Sequence, residues 1–308
     1  WAATFDTEGA APSAAVGDSM QRFIRVLADD SMMGRRAGTA DELRAAQYLA
    51  SNFEAWGLTP LMGAMIEPFG SGAVCGFSGS RNVLGVVPGS GALASEWVVV
   101  GGHYDALGTQ LDSTGAVLVR NGADDNASGT AMMLELARLY SRAAANGDMA
   151  GVPRRAVLFA GFGAEERGLI GSCEFIQAAI IDPAKMAGMV NFDMVGRLRN
   201  NTVIAQTGGA ADAWDAMLAN TNVADLVVNP FTVCKACSDY YWFGQNDVPY
   251  VWFFTGDHAD YHRPTDDENL IDYDGMVAIG SMAYRILIRL AITPGRPIPA
   301  GGASTGGP

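Results

Sequence analysis

The feature that most constrains this chain is the regular alternation of short β-branched runs with longer stretches of helical period. Arg81 to Val87, Glu96 to Gly102, Arg154 to Gly161 and Met186 to Met194 are almost continuously apolar, the pattern of strands buried on both faces. Further strands are expected over Thr202 to Gln206 and Val248 to Phe254. Residues 40–56, 128–145, 169–179, 211–220 and 273–291 read as helices between and after them. In the first of these Leu43, Ala46, Leu49, Phe53 and Trp56 share one face, and Gly57 ends the helix. A shorter amphipathic helix is expected over 18–29. Strands that alternate with helices in this way fold as an α/β three-layer sandwich, a mostly parallel central sheet flanked by helices. Functional residues of such sheets gather in the loops beyond the C-terminal strand ends.

With 308 residues and no internal repeat, the chain reads as a single domain over 1–308. Residues 1–80 form a helical lead-in packed on the core, of which 1–18 are a loose leader. Residues 294–308, rich in Pro and Gly, are expected as a flexible tail. A net charge of -13 argues against nucleic acid and anionic membrane as partners. No apolar stretch approaches the roughly 18 residues of a membrane span. The chain begins at Trp1, so removal of an N-terminal segment is expected. Of the four cysteines, Cys234 and Cys237 stand in CxxC spacing with no second such pair to complete a zinc knuckle. A local disulfide is expected there, and with it an oxidising compartment, secreted or periplasmic. The pairing of Cys75 and Cys173 stays open.

Five strand ends or helix starts in succession deliver metal-binding side chains. Only three histidines are present, so their positions carry weight. His103 follows an apolar strand in Gly101-Gly102-His103-Tyr104-Asp105, and Asp105 can accept the other ring N–H. Asp124, Asp125 and Asn126 precede the helix that starts at 128, where two Asp and an Asn exceed what one cap requires. Glu165 and Glu166 lie just past a buried strand, so one can bind metal while the other serves as base. Asp193 sits near the end of a fourth strand. His262 follows a fifth, with Tyr261 a candidate donor to an oxyanion and Asp266 a candidate partner for the His262 ring. Each piece alone has a bland structural explanation; the combination does not. The imidazole and carboxylate donors suit zinc, with manganese or cobalt as alternatives.

These motifs resemble peptidase family M28, the co-catalytic dizinc peptidases that include bacterial leucine-type aminopeptidases. The matching segments are Gly102-His103-Tyr104-Asp105, Gly122 to Gly129, Ala164 to Ser172, Asn191 to Gly196 and Tyr261 to Asp266, with Met33 to Thr39 and helix 40–56 as lead-in. The resemblance covers about Arg81 to Ala291. It implies two zinc ions bridged by Asp125, one completed by His103 and Asp193, the other by Glu166 and His262. It further implies Glu165 as general base, Asp105 orienting His103, and Tyr261 steadying the tetrahedral intermediate. The implied activity is exopeptidase hydrolysis of peptides with a free N-terminus, whose amine would meet Asp193 and Glu165. Arg197 is a candidate contact for a substrate carboxylate, and Phe231, Tyr241, Trp242 and Phe243 are candidate pocket residues. Tyr240 departs from the Ser-Asp-His seen in relatives, in a segment expected near the substrate entrance. A single-zinc glutaminyl cyclase of the same architecture, a dipeptidase and a degenerate binding module are the competing readings. A serine hydrolase is not, for want of a Gly-x-Ser-x-Gly elbow between a strand and a helix.

Overall fold

The computed structural model describes residues 11–298 apart from 71, 209–210 and 230–233. In chain order the strands are β1 (Thr59–Pro60), β2 (Ile66–Pro68), β3 (Arg81–Val87), β4 (Trp97–His103), β5 (Gly108–Leu111), β6 (Val117–Arg120), β7 (Ala156–Phe162), β8 (Met186–Phe192), β9 (Thr202–Gly208), β10 (Val227–Asn229) and β11 (Tyr250–Phe254). The helices are α1 (Ala11–Leu27), α2 (Ala40–Ala55), α3 (Gly129–Ala145), α4 (Ile170–Gln177), α5 (Ala211–Thr221), α6 (Tyr240–Gln245) and α7 (Tyr273–Ile292).

The main sheet runs β1-β3-β7-β4-β8-β11-β9-β10, with β2 also paired to β3. Its centre, β7-β4-β8-β11, is parallel throughout. The flanks are mixed: β3 runs antiparallel to β7, and β9 antiparallel to β11. Strict side-chain alternation divides the core between two layers. Val98 and Val100 of β4 pack with α1, α2, α3, α5 and α7, whereas Val99 packs on the other face with Phe175 of α4 and Phe243 of α6. The three-layer sandwich is thus the observed fold, with strand interiors buried on both faces as their apolar runs require.

Gly101 and Gly102 precede His103 because the sheet leaves no room for side chains there. A Cβ on Gly102 would stand 2.6 Å from the Phe192 carbonyl oxygen of β8.

Several expectations need correction. Helix α1 begins at Ala11, so residues 11–18 are not a loose leader; residues 1–10 lie outside the described residues. Part of the expected tail is anchored: Ile298 is fully buried, and the Gly295 carbonyl accepts a hydrogen bond from buried Arg155. Residues 299–308 lie outside the described residues. One stretch does match a membrane span in length and composition. It is α7, whose Ile279, Met282, Ile286, Leu287 and Leu290 are buried in the core. Such burial is what a core helix shows. The β5–β6 hairpin between Asp105 and Asn121, whose apolar run Ala116 to Val119 is only four residues long, is a further element that the sequence reading did not include.

Cys234 and Cys237 form the expected disulfide, and Cys75 pairs with Cys173.

Candidate metal centre

The parallel strands β4, β7, β8 and β11 all end on one edge of the sheet, and the loops that follow them converge. His103 is the last residue of β4. Glu165 and Glu166 occupy a one-turn 3-10 helix just beyond β7, entered through Ala164 in the left-handed region (φ 56°). Asp193 follows β8 directly. Asp125 comes from the segment leading into α3, and His262 from the loop after β11, itself left-handed at φ 59°. Left-handed non-glycine residues persist where the surroundings over-determine them, and they concentrate at functional sites.

The side chains form two donor groups joined at Asp125. His103 Nε2 lies 3.4 Å from Asp125 Oδ1 and 3.4 Å from Asp193 Oδ1. His262 Nε2 lies 3.1 Å from Asp125 Oδ2 and 3.4 Å from Glu166 Oε2. Asp125 thus turns one carboxylate oxygen to each histidine. Zinc bonds of about 2.0–2.1 Å at the tetrahedral angle put donors about 3.3–3.4 Å apart, so both groups have the spacing of zinc ligands. Glu165 Oε2 also reaches the first group, but at 3.8 Å from His103 Nε2. Glu166 Oε1 is buried without a hydrogen-bond partner among the described residues.

Asp105 is fully buried beneath His103. Its Oδ1 lies 3.6 Å from His103 Nδ1 and accepts the Glu165 backbone N–H at 3.0 Å, and the Asp105 carbonyl lies 3.3 Å from the same ring nitrogen.

So many carboxylates in a desolvated space perturb one another. Burial, then the charge of Asp125, pushes Glu166 up to about 9. Burial drives Glu165 well above the carboxylate range; His103 pulls it down, and Asp193, Asp239 and Glu166 push it up again. Burial also raises Asp193. Burial works against protonation of His103, but Glu165, Asp193, Asp105 and Asp125 outweigh it and raise the ring well above its usual value. Asp125 goes the other way: burial is overcome by hydrogen bonds and charge from His103 and His262, and its carboxyl falls far below the usual range. A cluster this acidic calls for cations.

Tyr261 stacks on His262 with ring centroids 3.7 Å apart at the exposed edge of the site. Burial, followed by Asp125, Glu166 and Asp193, raises its phenol, so it remains an O–H donor at neutral pH.

Other candidates fall differently. Asp266 accepts the backbone N–H groups of Asp124 and Asp125 rather than meeting the His262 ring. Arg197 pairs with Asp260 at 3.0 Å and lies 3.6 Å from Asp266, so its charge is engaged within the protein. Tyr240 is not at an entrance. It is fully buried, donates to the Cys234 carbonyl and stacks on Trp252. Phe243 is core, stacked on Phe175; Tyr241 and Trp242 are half-buried, and Phe231 lies outside the described residues. Two residues at the site were missed. His258 stands 3.2 Å from the carboxylate of Asp124, the neighbour of Asp125 in sequence. Asp239 is fully buried beside the first donor group, where burial carries it up to about 7 against the opposing pull of His103. Its place after Ser238 in the departing Ser-Asp-Tyr segment was the available signal.

A sheet whose C-terminal edge gathers two carboxylate–imidazole groups is a metal-dependent hydrolase scaffold in its class. The model of peptidase family M28 matches residues 82–287, and the chain belongs to that family. Leucine aminopeptidase 1 of Trichophyton rubrum is 27% identical over 224 residues, covering 68% of this chain and 58% of that protein. A probable zinc metalloprotease of Phaeosphaeria nodorum is 37% identical over 108 residues, covering 32% of this chain and 20% of that one. The chain therefore spans little more than half, or less, of these relatives. Among solved structures, Legionella pneumophila LapA aminopeptidase superposes with a TM-score of 0.72 at 19% identity, covering 94% of this chain and 76% of that one. These similarities establish the fold.

Proposed function

We propose that the protein is a zinc-dependent aminopeptidase that holds two zinc ions per chain and removes N-terminal residues from peptides. The observation that carries this is Asp125, with one carboxylate oxygen 3.4 Å from His103 Nε2 and the other 3.1 Å from His262 Nε2. In this reading Asp125 would contribute to holding both ions, His103 and Asp193 would complete one set of ligands, and Glu166 and His262 the other. Bound zinc supplies Lewis acidity, which lowers the pKa of water towards neutrality and polarises a peptide carbonyl. Glu165, at 3.8 Å from His103 and outside the tighter donor spacing, takes the proton from the attacking water and passes it to the leaving amine. Asp105 holds the His103 ring and, through the Glu165 N–H, the turn that carries the base. Tyr261 donates to the oxyanion. Asp193 and Glu165 receive the substrate's free amine. The two disulfides favour an oxidising compartment, and we place the protein outside the cytoplasm.

The test is zinc content of the purified protein, read with amino-acid release from unblocked and N-acetylated peptides. Two zinc ions with cleavage of unblocked peptides alone is the expected result. One zinc ion, or cleavage of neither set, overturns it and makes N-terminal glutaminyl peptides the next substrates, as for a cyclase.

A further inference from the structure

The Met33 to Thr39 segment lies outside the proposed chemistry, yet its third residue reaches the foundations of the site. Arg35 is a fully buried arginine whose guanidinium meets backbone carbonyls rather than a carboxylate. Its Nε donates to the Tyr104 carbonyl at 2.8 Å, its Nη1 to Asn121 at 2.7 Å and to Leu27, and its Nη2 to Gly122 at 3.1 Å. Tyr104 stands between His103 and Asp105. Asn121 and Gly122 lead into Asp124 and Asp125. One planar fork therefore joins the loop that bears His103 to the loop that bears Asp125.

The backbone is contorted to put it there. Met33, Gly34 and Arg35 are all left-handed, at φ 49°, 67° and 44°. A Cβ on Gly34 would stand 2.4 Å from the Gly108 carbonyl oxygen and 2.6 Å from that of Arg120, so the chain is wedged against the hairpin that connects the two loops. Strain in non-glycine residues persists only when the surroundings impose it. Burial brings the guanidinium down to about 10, with Asp105, Asp125, Asp266 and Glu166 opposing the fall, so it stays charged at neutral pH. Because its hydrogen bonds go to neutral carbonyls, that charge is left to offset the carboxylate cluster.

We propose that Arg35 is a positioning residue that fixes the separation of the His103 and Asp125 loops before any metal binds, and so sets zinc affinity. This rests on the dizinc reading above. Lysine cannot replace it, since an ammonium lacks the planar fork needed to span divergent carbonyls.

A purely structural staple is the rival account, and Arg155 supplies the control. It too is fully buried and donates to carbonyls, those of Leu290, Thr293 and Gly295, and also to the Glu96 carboxylate, but it stands just before β7, at the opposite end of the parallel strands from the site. Zinc affinity is measured by competition with a chromophoric chelator for wild type, R35K, R35M and R155K, beside the melting temperature of each zinc-free protein. R35K and R35M are expected to bind zinc about 10–100-fold more weakly, while R155K lowers the melting temperature and leaves zinc affinity unchanged. Wild-type affinity in R35K, with two ions bound to both proteins, overturns the proposal alone. Failure of the wild type to bind two ions overturns the dizinc reading and this proposal with it. A second arm needs no variant: in zinc-free wild type the Arg35 Nε–H resonance should exchange slowly with solvent. Exchange at the rate of an exposed arginine overturns the proposal, because the loops are then not held in advance of the metal.

Discussion

Asp105 and Glu165 are joined by a hydrogen bond of 3.0 Å from the Glu165 backbone N–H to Asp105 Oδ1, and the same oxygen lies 3.6 Å from His103 Nδ1. One buried carboxylate thereby serves both the proposed ligand on β4 and the turn that carries the proposed base after β7. D105N keeps an acceptor but removes the charge. Zinc affinity is expected to fall about 10–100-fold, the usual cost of losing a carboxylate behind a metal-binding histidine. Chelator competition checks this, and unchanged affinity would show that Asp105 only braces the turn.

Glu165 and Glu166 are adjacent in sequence but differ in distance to their histidines, 3.8 Å against 3.4 Å. E165Q should lower kcat by at least about 100-fold, within the usual contribution of a general base, and leave two zinc ions bound. Loss of one zinc instead would make Glu165 a ligand. E166Q should lose zinc along with activity.

The sequence made the candidate site legible because each donor sits at or shortly after the end of an apolar strand, or at the start of a helix, where period and burial mark the position, His262 being the furthest out, in the loop after β11. Asp105 was legible because it lies two residues from His103. What escaped it depends on tertiary geometry. Arg35 acts through backbone carbonyls, which leave no trace in residue identity. Asp266 braces Asp124 and Asp125 across 141 positions of chain. The antiparallel flanks of the sheet were hidden because a buried strand has the same composition whichever way it runs. Tyr240, read as a residue near an entrance, is core because its ring stacks on Tyr250 and Trp252 and its O–H donates to the Cys234 carbonyl, partners that only the tertiary fold supplies.

The zinc-free protein should lose stability as pH rises. Glu166 is raised to about 9 in the fold against an ordinary value near 4.5, so between those values the folded state holds a proton that the unfolded state does not. Stability then falls with rising pH across that window. Asp239 and Glu42, each raised to about 7 chiefly by burial, add the same sign from the carboxylate range up to neutrality. Asp125, which is lowered, acts only in the acid region. The melting temperature without zinc is expected to be higher at pH 6 than at pH 8.5. Zinc binding must expel the proton held by Glu166, so calorimetry in buffers of different ionisation enthalpy should record proton release. A zinc-free protein that is more stable at pH 8.5 would refute this account of the cluster.

The two disulfides should differ in what they contribute. Cys75–Cys173 closes a loop across 98 positions and ties the segment before β3 to α4, the helix that follows the Glu165–Glu166 turn. Cys234–Cys237 spans only three. Restricting the unfolded chain stabilises more as the closed loop lengthens, typically by about 2–4 kcal/mol. The double variant C75S/C173S should therefore lower the free energy of unfolding in urea by about that amount, and C234S/C237S by clearly less. Neither pair contributes a donor to the metal groups, so both variants should keep their zinc in the absence of denaturant. Equal losses from the two variants would mean that folded-state contacts near Cys234, whose carbonyl accepts from Gln206 and Tyr240, outweigh chain entropy here.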